Sequence, residues 1–500
     1  MTNHLYDALI GAQAQNTACF VKRSGQPDIS FADFAAATAQ MAHRLVEAGL
    51  KPGDRLVVQA AKSIEMVSLY LATVQAGGVF LPLNTAYKRD EVAYFTGDAT
   101  PRIIVCDPKS EEMMQSITKG TDCTTLTLDA AGGGSLTAGL TALPTRFPTV
   151  PRAPDDLAAL LYTSGTTGRS KGAMLTHDNL LSNAQSLREL WQITDADTLM
   201  HALPIFHTHG LFVAINSTLL AGACLDFMPG LDLDALFAAM PQATMLMGVP
   251  TFYTRLLSDD RLTAEATANM RLFISGSAPL LAETHEAFTA RTGHHILERY
   301  GMTETNMNTS NPYDGDRRPG TVGLPLPGVE VRLTNPEDAT ELPVGEIGMI
   351  EVRGPNVFKG YWQMPEKTAE ELRSDGFFIT GDLGQFSADG YLSIVGRSKD
   401  LIITGGYNVY PKEIEDVLND IPGVSESAVF GIPDADFGEA IIAAVVPEGT
   451  AEIDTSTLAD EVSEKLARFK HPRRYELLTE LPRNTMGKVQ KNELRKTFGA

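Results

Sequence analysis

The segment LAALLYTSGTTGRSKG, residues 157–172, constrains this chain more than any other stretch. An apolar run from Leu157 to Tyr162 reads as a buried strand, and it gives way to hydroxyls and glycines before Lys171 and Gly172. A strand that empties into such a loop suits a polyphosphate. Gly165 and Gly168 accept positive φ and let backbone N–H groups approach an anion, Thr163, Ser164, Thr166 and Thr167 add hydroxyl donors, and Lys171 adds charge. It is not a Walker A loop, because the lysine stands three residues after Gly168 and is followed by Gly172 rather than Ser or Thr.

The chain around this loop alternates. Ser30 and Asp33 begin a helical stretch that Gly49 stops, and Pro52, Gly53 and Asp54 turn the chain into RLVVQA. Ser63 opens a second helix with Ile64, Val67, Leu71 and Val74 at helical spacing. VFLPLN and RIIVCD read as strands, so the spacing predicts βαβ units and a parallel sheet. Residues 107–156 weaken into proline-punctuated loop with AGGGS at 131–135. Thr176 caps a helix to Trp191, MLMGVP and RLFISGS read as strands, and glycine-punctuated short strands dominate from Thr321 to Ile394. A last α/β piece holds LIITGG, a helix from Pro411 to Asn419, two strands, and a helix from Thr457 to Ala467. Five hundred residues exceed what one core serves, so the chain is expected to be multidomain.

Charge narrows the function. A formal net charge of −21 argues against nucleic acid as a partner, because phosphate backbones are held by clustered cations. No apolar run reaches the roughly 18 residues of a membrane span and no signal-like segment follows Met1, so a cytosolic location without membrane association is expected. Cys19, Cys106, Cys123 and Cys224 are scattered, against a zinc site or a disulfide framework. Residues 465–496 concentrate ten Lys or Arg against three Glu, a candidate surface for anionic ligands.

The 157–172 segment resembles the phosphate-binding signature of the adenylate-forming superfamily of acyl-CoA synthetases, peptide-synthetase adenylation domains and luciferases. Further stretches resemble its motifs in order: GSAPL at Gly276, ERYGMTE at Glu298, TGD at Asp382, GRSKD at Arg397 and PRNTMGK near Lys488. The resemblance implies an α/β fold with a large N-terminal domain, residues 1–398, of two α/β subdomains plus a small β-rich one. A smaller, mobile C-terminal α/β domain, residues 399–500, would turn about a hinge at Lys399. It implies ATP, Mg²⁺ and coenzyme A as co-substrates and cofactor. Thr163 to Gly168 and Lys171 would hold phosphates; Gly276, Ser277, Ala278, Glu298, Arg299, Tyr300, Gly301 and Met302 would surround the purine. Thr303 would touch the α-phosphate, Glu304 with Thr166 would hold the metal, and Asp382 with Arg397 the ribose. Lys488 would stabilise the transferring charge, and its acylation, by a lysine acetyltransferase and deacetylase pair, would switch activity. The loop with Gly405 and Gly406 would line the thiol's entry.

The acid is addressed by fewer residues. VPTFYTR, SGSAPL and ERYGMTETNMNTS resemble malonyl-CoA synthetases, which implies malonate or methylmalonate as substrate. His207 stands where the family puts an acyl-pocket residue. The resemblance implies that Arg255 holds the distal carboxylate, with Arg299 a second candidate that could instead orient the adenine strand; a planar guanidinium binds a carboxylate through two hydrogen bonds, and Met302 with Ser277 would limit the space.

Overall fold

The computed structural model describes residues 2–23, 25–163, 170–404, 407–434, 437–449, 451, 453–484 and 487–499. The chain divides into two compact units, residues 1–330 with 352–378, and residues 331–351 with 379–500.

The first unit contains two sheets. One has six strands in the order Thr124–Thr127, Ile103–Cys106, Arg55–Gln59, Val79–Pro82, Leu157–Thr163 and Lys171–Thr176. All neighbours are parallel except the last pair, which forms an antiparallel hairpin around the glycine-rich loop. The other has nine strands, with a parallel centre of Leu297–Met302, Leu272–Ser275, Met245–Gly248, Thr198–His201, Cys224–Phe227 and Cys19–Lys22. Antiparallel strands close both of its edges. Central strands such as Arg55–Gln59 and Met245–Gly248 are buried along nearly their whole length, as parallel strands covered on both faces must be.

Helix starts follow the hydroxyl signals. Ser30 accepts from the Asp33 N–H before Phe31–Glu47, Ser63 from Met66 before Ile64–Gln75, and Thr176 from Asn179 before His177–Leu190. Gly49 leaves the first of these helices at φ 95°, a conformation open to glycine. Residues 107–156 hold more order than their composition promised: a helix Glu111–Ile117 and an edge strand Thr124–Thr127. TTLT carries little apolar signal because it borders the sheet on one side only. The helix expected from Thr457 begins at Thr455, with Asp454 as its cap.

The second unit carries most of a four-stranded sheet, Glu330–Thr334, Ile347–Arg353, Phe378–Phe386 and Leu392–Arg397, and a five-stranded sheet built on the long antiparallel pair Val424–Asp434 and Gly438–Pro447. Pro411–Asn419 and Thr455–Lys465 cover one face through Ile414, Leu418, Leu458 and Val462. Leu494 of Lys491–Phe498 packs on the other.

One buried ion pair anchors the nine-stranded sheet. Asp197 is 4% exposed and takes two Arg271 hydrogen bonds of 2.7 Å, while the same guanidinium reaches the carbonyls of Trp191 and Gln192. Burial alone would raise the Asp197 carboxyl, but bonds from Arg271, Thr194 and Thr244 outweigh it and hold the group below its usual value. A depressed carboxyl stabilises above its unfolded pKa, about 3.9, and that contribution is lost as pH falls through the folded value. Arg271→Met is expected to cost about 3–5 kcal/mol at neutral pH and to flatten the acid limb of stability, measured by denaturant melts across pH.

Candidate active site

The hairpin Leu157–Thr163 to Lys171–Thr176 sets Thr163 directly opposite Lys171. The connecting residues, with the expected phosphate ligands Ser164, Gly165, Thr166, Thr167 and Gly168, lie outside the described residues. What the hairpin does show is a polar cluster at its mouth. Lys171 Nζ lies 3.1 Å from both Glu371 carboxylate oxygens, 3.1 Å from the Tyr361 hydroxyl, and 4.2 Å from the centre of the Tyr361 ring. Tyr361 donates to Glu371 Oε2 at 2.6 Å and lies 3.1 Å from Glu304 Oε1. Thr163 Oγ1 donates to the same Glu304 oxygen at 3.3 Å.

Glu304 sits in the tight turn between Leu297–Met302 and Asn306–Ser310, where Thr305 N–H bonds the Met302 carbonyl. Only 5% of it is exposed, and burial raises its carboxyl against the opposing pull of backbone hydrogen bonding and Lys171. Glu371 behaves in the opposite way: burial pushes it up, yet bonds from Tyr361, Lys367 and Lys171 hold it down. The lysine therefore neutralises Glu371, and the Thr163 hydroxyl donates to Glu304. A buried hard oxygen in that position fits Mg²⁺, which binds through one or two carboxylates and completes its shell with phosphates and water.

A second constellation lies where Leu272–Ser275 ends. Gly276 packs against the Arg299 guanidinium so closely that a Cβ there would fall 2.4 Å from Cζ. Ser277 follows at φ 72°, a left-handed conformation that a serine adopts only under constraint. Its hydroxyl lies 3.2 Å from His209 Nδ1. Arg299 is 3% exposed, and its Nε and Nη2 have no hydrogen-bond partner among the described residues; His209 Nε2 is in the same condition. Burial brings the Arg299 pKa down to about 9 and drives His209 far below the histidine range, assisted by the Arg299 charge. The imidazole is neutral at physiological pH.

Burial separates the two arginine candidates. Arg255 lies on the exposed side of Pro250–Leu257, whose Phe252, Tyr253 and Leu256 face inward at helical spacing. Arg299 is buried on Leu297–Met302, one residue before Tyr300 and a bulge at Tyr300 and Gly301. Glu298 is buried 3.3 Å from His285, on the other face of that strand from Arg299. Ala278, Tyr300, Met302 and Thr303 are half-buried. Thr303 and His207 line one small cavity with Tyr162 and Phe206, and the His207 ring lies 4.7 Å from that of Phe206.

In the second unit, Asp382 and Arg397 face each other across two strands, Nε to Oδ1 2.6 Å, with Asp382 4% exposed. Lys399 follows on a short turn, Ser398–Asp400. Lys488 is exposed beside a turn in which Asn484 exchanges hydrogen bonds with it and Gly487 takes φ 75°. Gly405 and Gly406 lie outside the described residues. Tyr361, Glu371 and His209 escaped the sequence reading. The histidine stands two places from His207 in HTHG, the π-helical turn His209–Ile215 following, whereas Tyr361 and Glu371 carry no local signature.

A carboxyl raised by folding is more stable protonated, so Glu304 contributes stability below its unfolded pKa, about 4.3, that fades as pH rises through the folded value. Glu304→Gln is expected to be more stable than the parent by roughly 1 kcal/mol at neutral pH and equal to it in acid, as measured by urea melts at both.

The AMP-binding enzyme family model matches residues 10–362, and the model of its C-terminal domain residues 413–488. A malonate–CoA ligase of Arabidopsis thaliana is 36% identical over 483 residues, 90% of this chain and 79% of its own length. A feruloyl-CoA synthase of Amycolatopsis is 34% identical over 95% of each chain. The crystal structure of ATP-bound MatB from Rhodopseudomonas palustris superposes with a TM-score of 0.98 at 56% identity, covering 100% of this chain and 99% of that one. The ordered motifs, the two α/β sheets and these matches have one conclusion: the chain belongs to the AMP-binding enzyme family.

Proposed function

We propose that this enzyme joins malonate, and methylmalonate as a tolerated analogue, to coenzyme A at the expense of ATP. A malonate carboxylate oxygen attacks the α-phosphorus and pyrophosphate leaves. The CoA thiol then attacks the carbonyl of the malonyl adenylate, the acyl C–O bond breaks, and AMP departs. The names of the Arabidopsis relative and of further malonate–CoA ligases, from Mus musculus and Bos taurus, support this reading.

The observation that carries it is Arg299. A guanidinium 3% exposed with two nitrogens lacking partners is costly unless a ligand completes it. The far carboxylate of a short diacid supplies what is missing, charge and acceptors together. His209 and Ser277 stand beside it to orient that carboxylate, with His207, Met302 and Thr303 bounding the acyl group. Arg255, exposed on its helix, is left with no part in this reading.

The remaining roles follow the motifs. Residues 163–168 and Lys171 bind phosphates, Tyr300 and the 276–278 segment take the purine, and Asp382 with Arg397 takes the ribose. Glu304 with Thr166 would hold magnesium, which would supply electrostatic stabilisation of the phosphates. Lys488 counters the charge that develops on the α-phosphate, and no side chain need bond covalently to substrate. The small domain from Lys399 onward turns between the two half reactions, bringing Lys488 to the first and the Gly405 and Gly406 loop to the second. Lys488 is exposed, as a residue open to an acetyltransferase and a deacetylase must be. The four thiols are free, in keeping with a cytosolic enzyme.

Pyrophosphate release across a panel of acids, with mass analysis of the thioester, tests the assignment: malonate is expected to lead and acetate, hexanoate and ferulate to trail. Arg299→Met is expected to weaken malonate by about 2–5 kcal/mol in kcat/KM while leaving ATP binding intact. Lys488→Ala is expected to abolish adenylate formation but to spare conversion of preformed malonyl adenylate and CoA. Equal loss of both steps would contradict the two-stage scheme.

A further inference from the structure

Cys19 and Cys224 stand 205 positions apart in the chain, and the nine-stranded sheet brings them into contact. Cys19 opens the strand Cys19–Lys22, and Cys224 opens the neighbouring parallel strand Cys224–Phe227. Val21 pairs with Leu225 and Lys22 with Asp226, so the two cysteines are diagonal neighbours at the start of that ladder. On the other side of its strand Cys19 pairs with Ser30 while Val21 pairs with Ile29, which leaves one extra residue in the cysteine strand. A bulge of this kind breaks the alternation of side chains along a strand. With the alternation broken there, the two sulfurs lie 3.2 Å apart.

Both thiols are reduced, and they differ in access. Cys19 is half-buried, whereas Cys224 is 8% exposed, so an oxidant in solvent meets Cys19 first. Burial is the largest influence on each thiol and raises both. Contact between the sulfurs acts in opposite directions, lowering Cys19 and raising Cys224, so Cys19 is the member that takes negative charge and Cys224 the one that donates to it. The Lys22 charge favours a thiolate at either position. A raised thiol reacts slowly, yet a disulfide between two such thiols has poor leaving groups and resists reduction. Neighbouring strands stand about 4.8 Å apart, within the Cα separation that a disulfide accepts, and the sulfurs need to close by only about 1.2 Å.

We propose that Cys19 and Cys224 form an oxidative modification site, closed to an intrachain disulfide by hydrogen peroxide. The Cys19 thiolate attacks one peroxide oxygen, the O–O bond breaks, and a sulfenic acid forms; the departing hydroxide takes up the proton that Cys19 released and becomes water. Cys224 sulfur then attacks the sulfenic sulfur, the S–O bond breaks, and a second water leaves with the Cys224 proton. Two thiols lose two electrons and two protons between them, and one peroxide gains them as two waters. The new bond pins the strand Cys19–Lys22, whose other neighbour is the two-residue strand Ile29–Ser30, to the body of the sheet.

Treatment of the reduced full-length protein with hydrogen peroxide, followed by alkylation and peptide mass analysis without reduction, tests the proposal. The expected product is a peptide pair joined through Cys19 and Cys224, two hydrogens lighter than its reduced components, in a yield independent of protein concentration and with Cys106 and Cys123 alkylated. Cys224→Ser is expected to accumulate Cys19 sulfenic acid, trapped by dimedone, and Cys19→Ser to leave Cys224 alkylated at the same dose. Should either variant not fold, the peptide map of the unaltered protein decides. In the native protein the linkage is expected to persist in glutathione and to open to dithiothreitol once urea unfolds the chain. Absence of the joined pair, equal joining through Cys106 or Cys123, Cys19 carried to sulfinic acid with Cys224 still free, or release by glutathione from the native protein would each overturn the proposal.

Discussion

Glu304 is the constraint around which the first unit is arranged. A carboxylate 5% exposed is retained in a tight turn at the end of a central strand, accepting from the Thr163 hydroxyl with the Tyr361 oxygen 3.1 Å away. Lys171 is bound to Glu371, so its pull on Glu304 is outweighed by the burial of that carboxyl. The arrangement leaves one oxygen cluster with charge to spare beside the glycine-rich hairpin, which is where a metal-bearing triphosphate would complete it. On the proposed function, stability is given up locally so that the ligand would meet a preorganised charge.

Arg299 is the complementary case. Its guanidinium is as deeply buried, flattened against Gly276, and flanked by a neutral imidazole and a serine held at positive φ. Strain and an unpaired charge in one place are features that surrounding structure must hold in position. In an enzyme family whose members take acids as different as malonate and ferulate, by the names of these relatives, a fixed cation in the acid's path is a simple means of choosing a diacid over an apolar chain. On the proposed function, the two buried charges, one negative and one positive, would address opposite ends of one reaction.

The architecture was legible because its signals are local. Ser30, Ser63 and Thr176 announced helix starts that the structure reproduces, and continuous apolar runs announced parallel strands. The strand Thr124–Thr127 was not legible, since it borders one neighbour and borrows its stability from pairing rather than from its own side chains. Around the hairpin mouth, Thr163, Lys171 and Glu304 stand out in the sequence as motif positions, whereas the residues that pack against them do not. Tyr361 and Glu371 lie about 190 and 200 positions from Lys171, and nothing in a linear pattern joins residues that only the fold brings to one hydroxyl. The resemblance pointed first to Arg255, but a linear pattern does not show burial: Arg255 is exposed on its helix and Arg299 is buried on its strand.

The chemistry at the centre of this account is transfer of a carboxylate oxygen to the α-phosphate of ATP. Malonate labelled with ¹⁸O in its carboxylates, incubated with the enzyme, ATP, magnesium and CoA, follows that oxygen directly. The account predicts AMP carrying one labelled oxygen for each malonyl-CoA formed, with pyrophosphate unlabelled. Label in orthophosphate alongside ADP, or unlabelled AMP beside malonyl-CoA, would contradict it.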